Sequence, residues 1–320
     1  PELDRWIRIE EDETITVFTG KVEIGQGIQT VIAQIAAEEL DVSVGRVRVI
    51  LADTARTPDE GYTAGSTSTV MSGGAVRQAA AEVRHVLLEL AAQKLETSIE
   101  HLSIEDGEVL DAQTGKSTSY WELSGGRPLL RIAMGLVEPK TPDEYRVVGQ
   151  PIPRLDIPDK VAGRPVFVDD IDLPDMLHAR VVRPPTYQAR LLECDATIVS
   201  ERPGVLAVIQ DGSFLSVVAE REEQAVMAAE TLAEQAVWTE PQLALDDSSL
   251  QHHMEQSTGQ RFLVADGIPT NQEIPTLGAP QNAAQTVQAT YYRPFVRHAS
   301  LGPSSAVGHM QDGQLRLWTH

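Results

Sequence analysis

Two short stretches hold the residues whose types and spacing could do chemistry. The first is Gly25-Gln26-Gly27, within GKVEIGQGIQT at 20–30; the second is Thr63-Ala64-Gly65-Ser66-Thr67-Ser68. Each precedes an apolar run at helical spacing, so each is expected where a helix starts. A helix start carries unpaired N–H groups and the positive end of the helix dipole. Glycine lets that backbone approach a bound group closely, and glutamine adds an amide that both donates and accepts. The hydroxyls of Thr63, Ser66, Thr67 and Ser68 suit phosphate oxygens. The chemistry on offer is binding of an anion, or of the polar edge of a cofactor. Each stretch alone also reads as a tight turn or a helix cap. Two of them in one domain, with a strand between, strengthen the anion reading.

Other chemistries lack the necessary spacing. No Gly-Lys-Ser/Thr follows a glycine at the phosphate-loop interval, and the Gly-x-Gly lacks the third glycine of a dinucleotide fingerprint. No arrangement points to a Ser-His-Asp triad or a Cys-His pair. His252-His253 is the one adjacent histidine pair, and adjacent residues do not normally converge on one metal. His298 reads as structural. Asp169 and Asp170 read as a solvated turn rather than an acid/base pair. No catalytic or metal-ligating residue is assigned within the chain.

The two stretches need elements to hold them. Residues 5–19 predict two short strands around an acidic turn, with Ile7 and Ile9, then Ile15, Val17 and Thr19, alternating with their neighbours. Ile28, Val31, Ile32, Ile35 and Leu40 predict a helix, RVRVILAD at 46–53 a strand, and Val76, Ala79, Val83, Val86, Leu87, Leu90 and Leu95 a second helix. Residues 97–125 predict strands and turns, with EDGEV as a hairpin signal. The proline-rich run LVEPKTPDEYRVVGQPIPRLDIPDK predicts a linker, with a domain boundary near 142. Strands are expected at RPVFVDDI, LHARVVR, LLECDATIV, VLAVIQD, FLSVVAE and AVWTEP, with a helix at REEQAVMAAETLAEQAV, making a mixed α+β unit over 143–240. Residues 241–285 are polar and weakly patterned, as a partner-facing connection would be. TVQATYYRP, SAVGHMQ and QLRLWTH predict further strands, the last two joined by an Asp312-Gly313 turn. The strand pattern runs to the last residue, so more of that sheet is expected elsewhere.

The 320 residues fit two domains, and a hydrophobic content of 42% with 23% charged residues is ordinary for a globular protein. A formal net charge of -21 opposes binding to nucleic acid or an anionic membrane surface. The single cysteine, Cys194, sits in an apolar run and reads as a buried structural thiol. One thiol cannot hold an iron–sulfur cluster or form an internal disulfide, which leans toward a cytoplasmic location, with the periplasm as the alternative. No apolar run approaches the ~20 residues of a membrane span, and the first residues do not form a signal peptide. The chain lacks an initiator Met, as a processed chain or a fragment would.

GKVEIGQGIQTVIAQIAAEELDV followed by ADTARTPDEGYTAGSTSTVMSGGAVRQAA resembles the molybdopterin-binding large subunits of the xanthine dehydrogenase and aldehyde oxidase family. The order of segments is most similar to isoquinoline 1-oxidoreductase β subunits and nicotinate dehydrogenase large subunits. YRVVGQPIPRLDIPDKVAGRPVFVDDIDLPDMLHARVVRPP resembles the start of the family's α/β hammerhead domain, and YYRPFVRHASLGPSSAVGHMQDGQLRLWTH the opening of its next molybdopterin-binding domain. The resemblance implies an α+β protein in three parts. Residues 1–142 are a segment of a molybdopterin-binding domain, 143–240 the α/β hammerhead domain, and 241–320 a connection and the start of a further molybdopterin-binding domain.

It also implies roles. Gln26, between Gly25 and Gly27, matches the glutamine that contacts the pterin, and Thr63 to Ser68 match the segment that holds the cofactor's phosphate end. The implied cofactor is molybdopterin cytosine dinucleotide with molybdenum, bound in the complete enzyme. The implied reaction is oxidative hydroxylation of an N-heterocycle or an aldehyde with oxygen from water. Implied partners are the complementary C-terminal part of the molybdenum subunit, a [2Fe–2S] subunit and a FAD or cytochrome subunit. The family's glutamate base and its later glycine and glutamine segments are missing, and Gly302 stands where xanthine dehydrogenases carry a substrate-site glutamate. Purine specificity is therefore not expected. Two alternatives stand beside this reading: a non-catalytic scaffold of the same fold, and an unrelated phosphate- or nucleotide-binding domain.

Overall fold

The computed structural model describes residues 2–239, 250–257, 259, 262–275, 278–289, 291–294, 296, 298–300 and 302–319. The chain divides into two compact units, 1–167 and 168–320. It is a mixed α+β protein.

In the first unit β1 (Ile7–Ile9) and β2 (Ile15–Thr19) pair antiparallel around the acidic turn, with Ile9 opposite Ile15. The helix α1 (Ile28–Leu40) then crosses over, and β3 (Val47–Leu51) returns parallel to β2. The sheet order β1-β2-β3 puts β2 in the centre, which is why all five of its residues are buried. The long helix α2 (Ser68–Leu95) lies against α1. Both helices face the core largely with alanine, at Ala33, Ala36, Ala79 and Ala80, and this allows a close approach. At Gly73 the approach is closest, since an added Cβ would lie 2.9 Å from Ile35 Cδ1. Ile28, Ile32, Leu40 and Leu87 are the large fully buried side chains between them, each worth roughly 1.5–3 kcal/mol of apolar burial. Asp41 and Glu96 end the two helices in the left-handed conformation. A meander follows, β4 (Leu102–Glu105), β5 (Glu108–Asp111) and β6 (Ser117–Ser119), with the expected Asp106-Gly107 turn, and then the short α3 (Tyr120–Ser124).

A linker is expected over 136–160; residues 127–156 instead form a strap laid along α1 and α2. The physical reason is a row of buried carboxylates. Glu82 accepts the N–H groups of Met134 and Gly135. Glu39 accepts Lys140 N–H at 3.1 Å. Glu38 accepts Arg146, Val147 and Val148 N–H groups at 2.9, 2.6 and 2.8 Å. Proline-rich backbone that cannot pair in a sheet is satisfied here by side chains instead. The Lys140 ammonium completes the fastening on Asp41 at 2.6 Å. Burial pushes the Glu38 carboxyl up, but the three N–H groups and Lys140 outweigh that and hold it below its ordinary range. The strap ends at α4 (Ile157–Val161), and the first compact unit runs to 167.

The second unit begins with β7 (His178–Val182), a strand of its three-stranded antiparallel sheet. After β7 come β8 (Leu191–Glu193), the short α5 (Thr197–Ser200), β9 (Val205–Asp211) and β10 (Phe214–Ala219). The helix α6 (Glu222–Gln235) packs Ala228, Ala229 and Leu232 against Val182, Leu215 and Val217, and β11 (Val237–Trp238) pairs with β8. Two expected strands differ. RPVFVDDI holds a 3-10 turn at Val168–Asp170, and in LLECDATIV the strand stops at Glu193, ahead of a turn in which Asp195 accepts the Thr197 N–H and hydroxyl. The polar region contains α7 (Leu250–Gln256) and a hairpin of β12 (Leu263–Ala265) and β13 (Ile268–Thr270). Residues 240–249 lie outside the described residues. The strand expected at TVQATYYRP is not formed at its described residues, whereas β14 (Ala306–Gln311) and β15 (Gln314–Thr319) pair around Asp312-Gly313 as expected.

Candidate functional site

Gly27 is the N-cap of α1, and Gly25 stands two residues before it, with φ of +85° and +100°. Side chains with a Cβ rarely take this conformation, which is why glycine brackets Gln26. Gly20 answers a different demand. A Cβ there would lie 2.4 Å from the Pro58 carbonyl oxygen, so loop 20–27 and loop 58–68 meet backbone to backbone.

Three contacts hold the two loops side by side. The Glu60 carboxylate accepts the Thr19 hydroxyl at 2.6 Å and the Gly20 N–H at 2.7 Å. The Lys21 ammonium, only 3% exposed, donates to the carbonyls of Glu60 and Tyr62 at 2.6 and 3.0 Å. The Val22 N–H donates to the Thr63 hydroxyl at 2.9 Å. A buried ammonium is tolerated only with such partners. The structure thus brings together the two stretches singled out by sequence.

The two helix starts differ. At α1 the chain supplies its own anion. Glu23 Oε1 accepts the N–H groups of Gly25 and Gly27 at 2.9 Å each, and Oε2 accepts that of Gln29 at 3.1 Å. The Gln26 amide also turns back on its loop. Its oxygen accepts Ile24 N–H at 2.7 Å and its NH2 donates to the Val22 carbonyl at 2.8 Å. An amide has two donors and two acceptor positions, so one of each has no partner among the described residues on this exposed side chain.

At α2 no described residue fills the start. The N-cap Thr67 makes no side-chain cap, and its hydroxyl donates to the Ala64 carbonyl at 3.1 Å. The N–H groups of Ser68, Thr69 and Val70 have no acceptor among the described residues. Gly65 and Ser66 both have positive φ, +66° and +58°. For Ser66 that conformation costs about 1 kcal/mol. The outcome is a helix start whose N–H groups at 68–70 are open, with exposed apolar side chains at Ile24 and Tyr62 on the loops and at Val70 and Met71 in the first turn of α2.

Several residues that shape this site escape a sequence reading. Glu23 had a signal, an acidic residue just before a glycine-marked helix start. Lys21 and Glu60 had none, because their pairing spans 39 residues of sequence. Arg154, from the end of the strap, donates to the Gly25 carbonyl at 2.8 Å and lies 3.5 Å from Glu23. The other candidates stay apart. His252 and His253 are exposed on α7, and His298, expected to be structural, is exposed too. Asp169 and Asp170 are exposed on their 3-10 turn, and Gly302 is exposed in a bend. Cys194 is half-buried, and burial, with the Asp195 carboxylate, pushes its thiol up and away from reactivity. Among the described residues no three His, Cys, Asp or Glu side chains could hold a metal ion. No described helix is long and apolar enough to cross a membrane.

The molybdopterin cofactor-binding domain profile matches residues 3–133, a span that contains both loops. Residues 3–133 belong to that domain family. The chain is 37% identical over 329 residues to the B subunit of nicotinate dehydrogenase from Pseudomonas putida, covering 99% of this chain and 27% of that protein. It is 29% identical over 266 residues to the beta subunit of isoquinoline 1-oxidoreductase from Brevundimonas diminuta, covering 70% of this chain and 34% of that one. Among solved structures, quinoline 2-oxidoreductase from Pseudomonas putida 86 aligns over 37% of this chain and 15% of its own, at 33% identity and a TM-score of 0.34. The chain spans about a quarter to a third of the length of these two curated relatives.

Proposed function

We propose that this chain supplies the first cofactor-contacting loops of a molybdenum hydroxylase acting on an N-heterocycle or an aldehyde. The observation that carries the reading is the juxtaposition of the Gly25–Gly27 loop with the uncapped start of α2, held by Val22 to Thr63 and by Lys21 to residues 60–62. The residues fit the phosphate end of a dinucleotide cofactor at α2. The N–H groups of Ser68, Thr69 and Val70, without an acceptor among the described residues, and the positive end of the helix dipole lie there, next to Ser66. Gln26 is assigned to the pterin through the unused donor and acceptor of its amide. When bound, the cofactor supplies the redox metal that lets water oxygen be transferred to carbon. The chain's own residues bind and orient it. The same proposal includes the cytosine dinucleotide form, an electron-accepting [2Fe–2S] subunit, a FAD or cytochrome subunit and the complementary part of the molybdenum subunit. It also includes the hammerhead assignment of residues 143–240, supported by the three-stranded sheet backed by α6.

A second reading, a scaffold of the same fold without cofactor, draws on one observation: Glu23 fills the start of α1 and Gln26 bonds within its own loop. The unrelated nucleotide-binding alternative loses its ground, because the domain match spans both loops. One experiment separates the first two. The complex purified through this chain is analysed for molybdenum by elemental mass spectrometry and for CMP after acid hydrolysis. Near-stoichiometric amounts of both, reduced in Gln26→Ala, support the hydroxylase. Neither group in a complex that contains the remainder of the molybdenum subunit supports the scaffold.

A further inference from the structure

The motif PRLDIPDK at 153–160 lies outside both cofactor loops, yet Arg154 reaches the first of them. We infer that Arg154 is a positioning residue that locks the Gly25-Gln26-Gly27 loop from behind. This rests on the reading of that loop as cofactor-contacting.

The geometry is a fork held at both ends. Arg154 Nη1 donates to the Gly25 carbonyl at 2.8 Å, and Nη2 lies 3.5 Å from Glu23 Oε1, the atom that receives the N–H groups of Gly25 and Gly27. Arg154 Nε lies 3.6 Å from the place where a Gly27 Cβ would stand, so the guanidinium covers the bare glycine. The other edge of the fork is fixed. Nε and Nη2 donate to the two oxygens of Asp156 at 2.9 and 2.7 Å, a bidentate pair, and Lys160 Nζ holds the same carboxylate at 2.6 Å. The backbone beside it is pinned as well, because the Leu155 N–H donates to the buried Thr30 hydroxyl on α1 at 2.9 Å. Two glycines around Gln26 give that loop wide conformational freedom. A planar guanidinium that touches the Gly25 carbonyl and Glu23 at once removes it, and lysine cannot match the fork. Through Arg154 the start of residues 154–160 sets how Gln26 is presented.

The test is hydrogen exchange by mass spectrometry on the full chain in its native complex, with loss of CMP and molybdenum followed in parallel. Arg154→Ala is expected to speed exchange of residues 22–29 about tenfold, as loss of a charge-assisted contact would, while residues 31–40 keep their protection. Asp156→Asn, which leaves Arg154 in place but weakens its clamp, gives a smaller increase at the same residues. Arg154→Lys recovers only part of the lost protection. CMP and molybdenum leave Arg154→Ala faster than the parent complex, and Arg154→Lys lies between. Unchanged exchange at 22–29 overturns the inference, and so does a uniform rise through 31–40 in both Arg154→Ala and Asp156→Asn. A loosened loop with undiminished cofactor retention also overturns it. A parent complex without molybdenum or CMP would instead sink the functional reading, and the exchange result would be unaffected by that.

Discussion

The starts of α1 and α2 share a sequence signature and differ in what occupies them. Both follow glycine, both begin an apolar helix, and both come from loops that touch each other. At α1 the chain folds Glu23 back onto the N–H groups of Gly25, Gly27 and Gln29, and Arg154 backs the arrangement. At α2 the N–H groups of Ser68, Thr69 and Val70 have no partner among the described residues. A helix dipole attracts negative charge in either place. What decides whether that charge is the protein's own is the reach of one carboxylate two residues before the first glycine. The lesson is that a glycine-marked helix start is an anion site only after local side chains have been counted.

Four substitutions probe that comparison, and the largest effect is expected at the strap that delivers Arg154 to α1. Glu38→Ala leaves three N–H groups unmet and removes a partner from Lys140, and should cost about 3 kcal/mol in a denaturant melt. The pH dependence has a definite sign. The folded Glu38 carboxyl lies below its ordinary value, so its stabilisation is complete above the usual carboxylate range and is lost as pH falls through the lowered folded value. An acid titration of stability should therefore lose part of its acid limb in Glu38→Gln. Next comes Gly20→Ala, which sets a methyl against the Pro58 carbonyl and should cost about 2 kcal/mol by forcing the loops apart. Thermal melts of the two proteins with equal midpoints would mean the loops do not meet there.

Glu23→Ala removes the carboxylate that fills the α1 start and should cost roughly 1–2 kcal/mol, like loss of any strong N-cap. Thr67→Ala at the α2 start should cost less than ~0.5 kcal/mol, since its hydroxyl caps no helix N–H. Chemical denaturation of this pair is the sharpest comparison. Equal losses at the two positions would show that the two starts are alike after all.

Local elements were largely legible in the sequence. Alternation at Ile7, Ile9, Ile15 and Val17 marked β1 and β2, and the spacing of Ile28, Ile32 and Leu40 marked α1. These patterns are readable because one buried face imposes a period of 2 or 3.6 on neighbouring residues. The glycines at 25 and 27 were readable for a related reason, as positive φ admits few other residues. Strand expectations failed where local chemistry outweighed apolar content, most clearly after Glu193, where the Asp195 side chain accepts the Thr197 N–H and turns the chain out of β8. Glu38, Glu39 and Glu82 fall on helical segments patterned by apolar residues, where charge normally marks a solvated face. Here they are buried because the strap brings them backbone donors from about 50 to 110 residues away.

The sequence by itself determined the elements, the two glycine-marked loops and the family to which residues 3–133 belong, because each is written in residues close together in the chain. Only the tertiary structure decided that the loops touch, that α1 is capped by Glu23 while α2 is open, and that a proline-rich stretch is a strap ending in Arg154. Those outcomes depend on hydrogen bonds between residues far apart in the chain, such as Lys21 to residues 60–62 and Arg154 to Gly25. A charged side chain declares its sign in the sequence, but its partner is set by where the backbone brings an unmet donor or acceptor within about 3 Å.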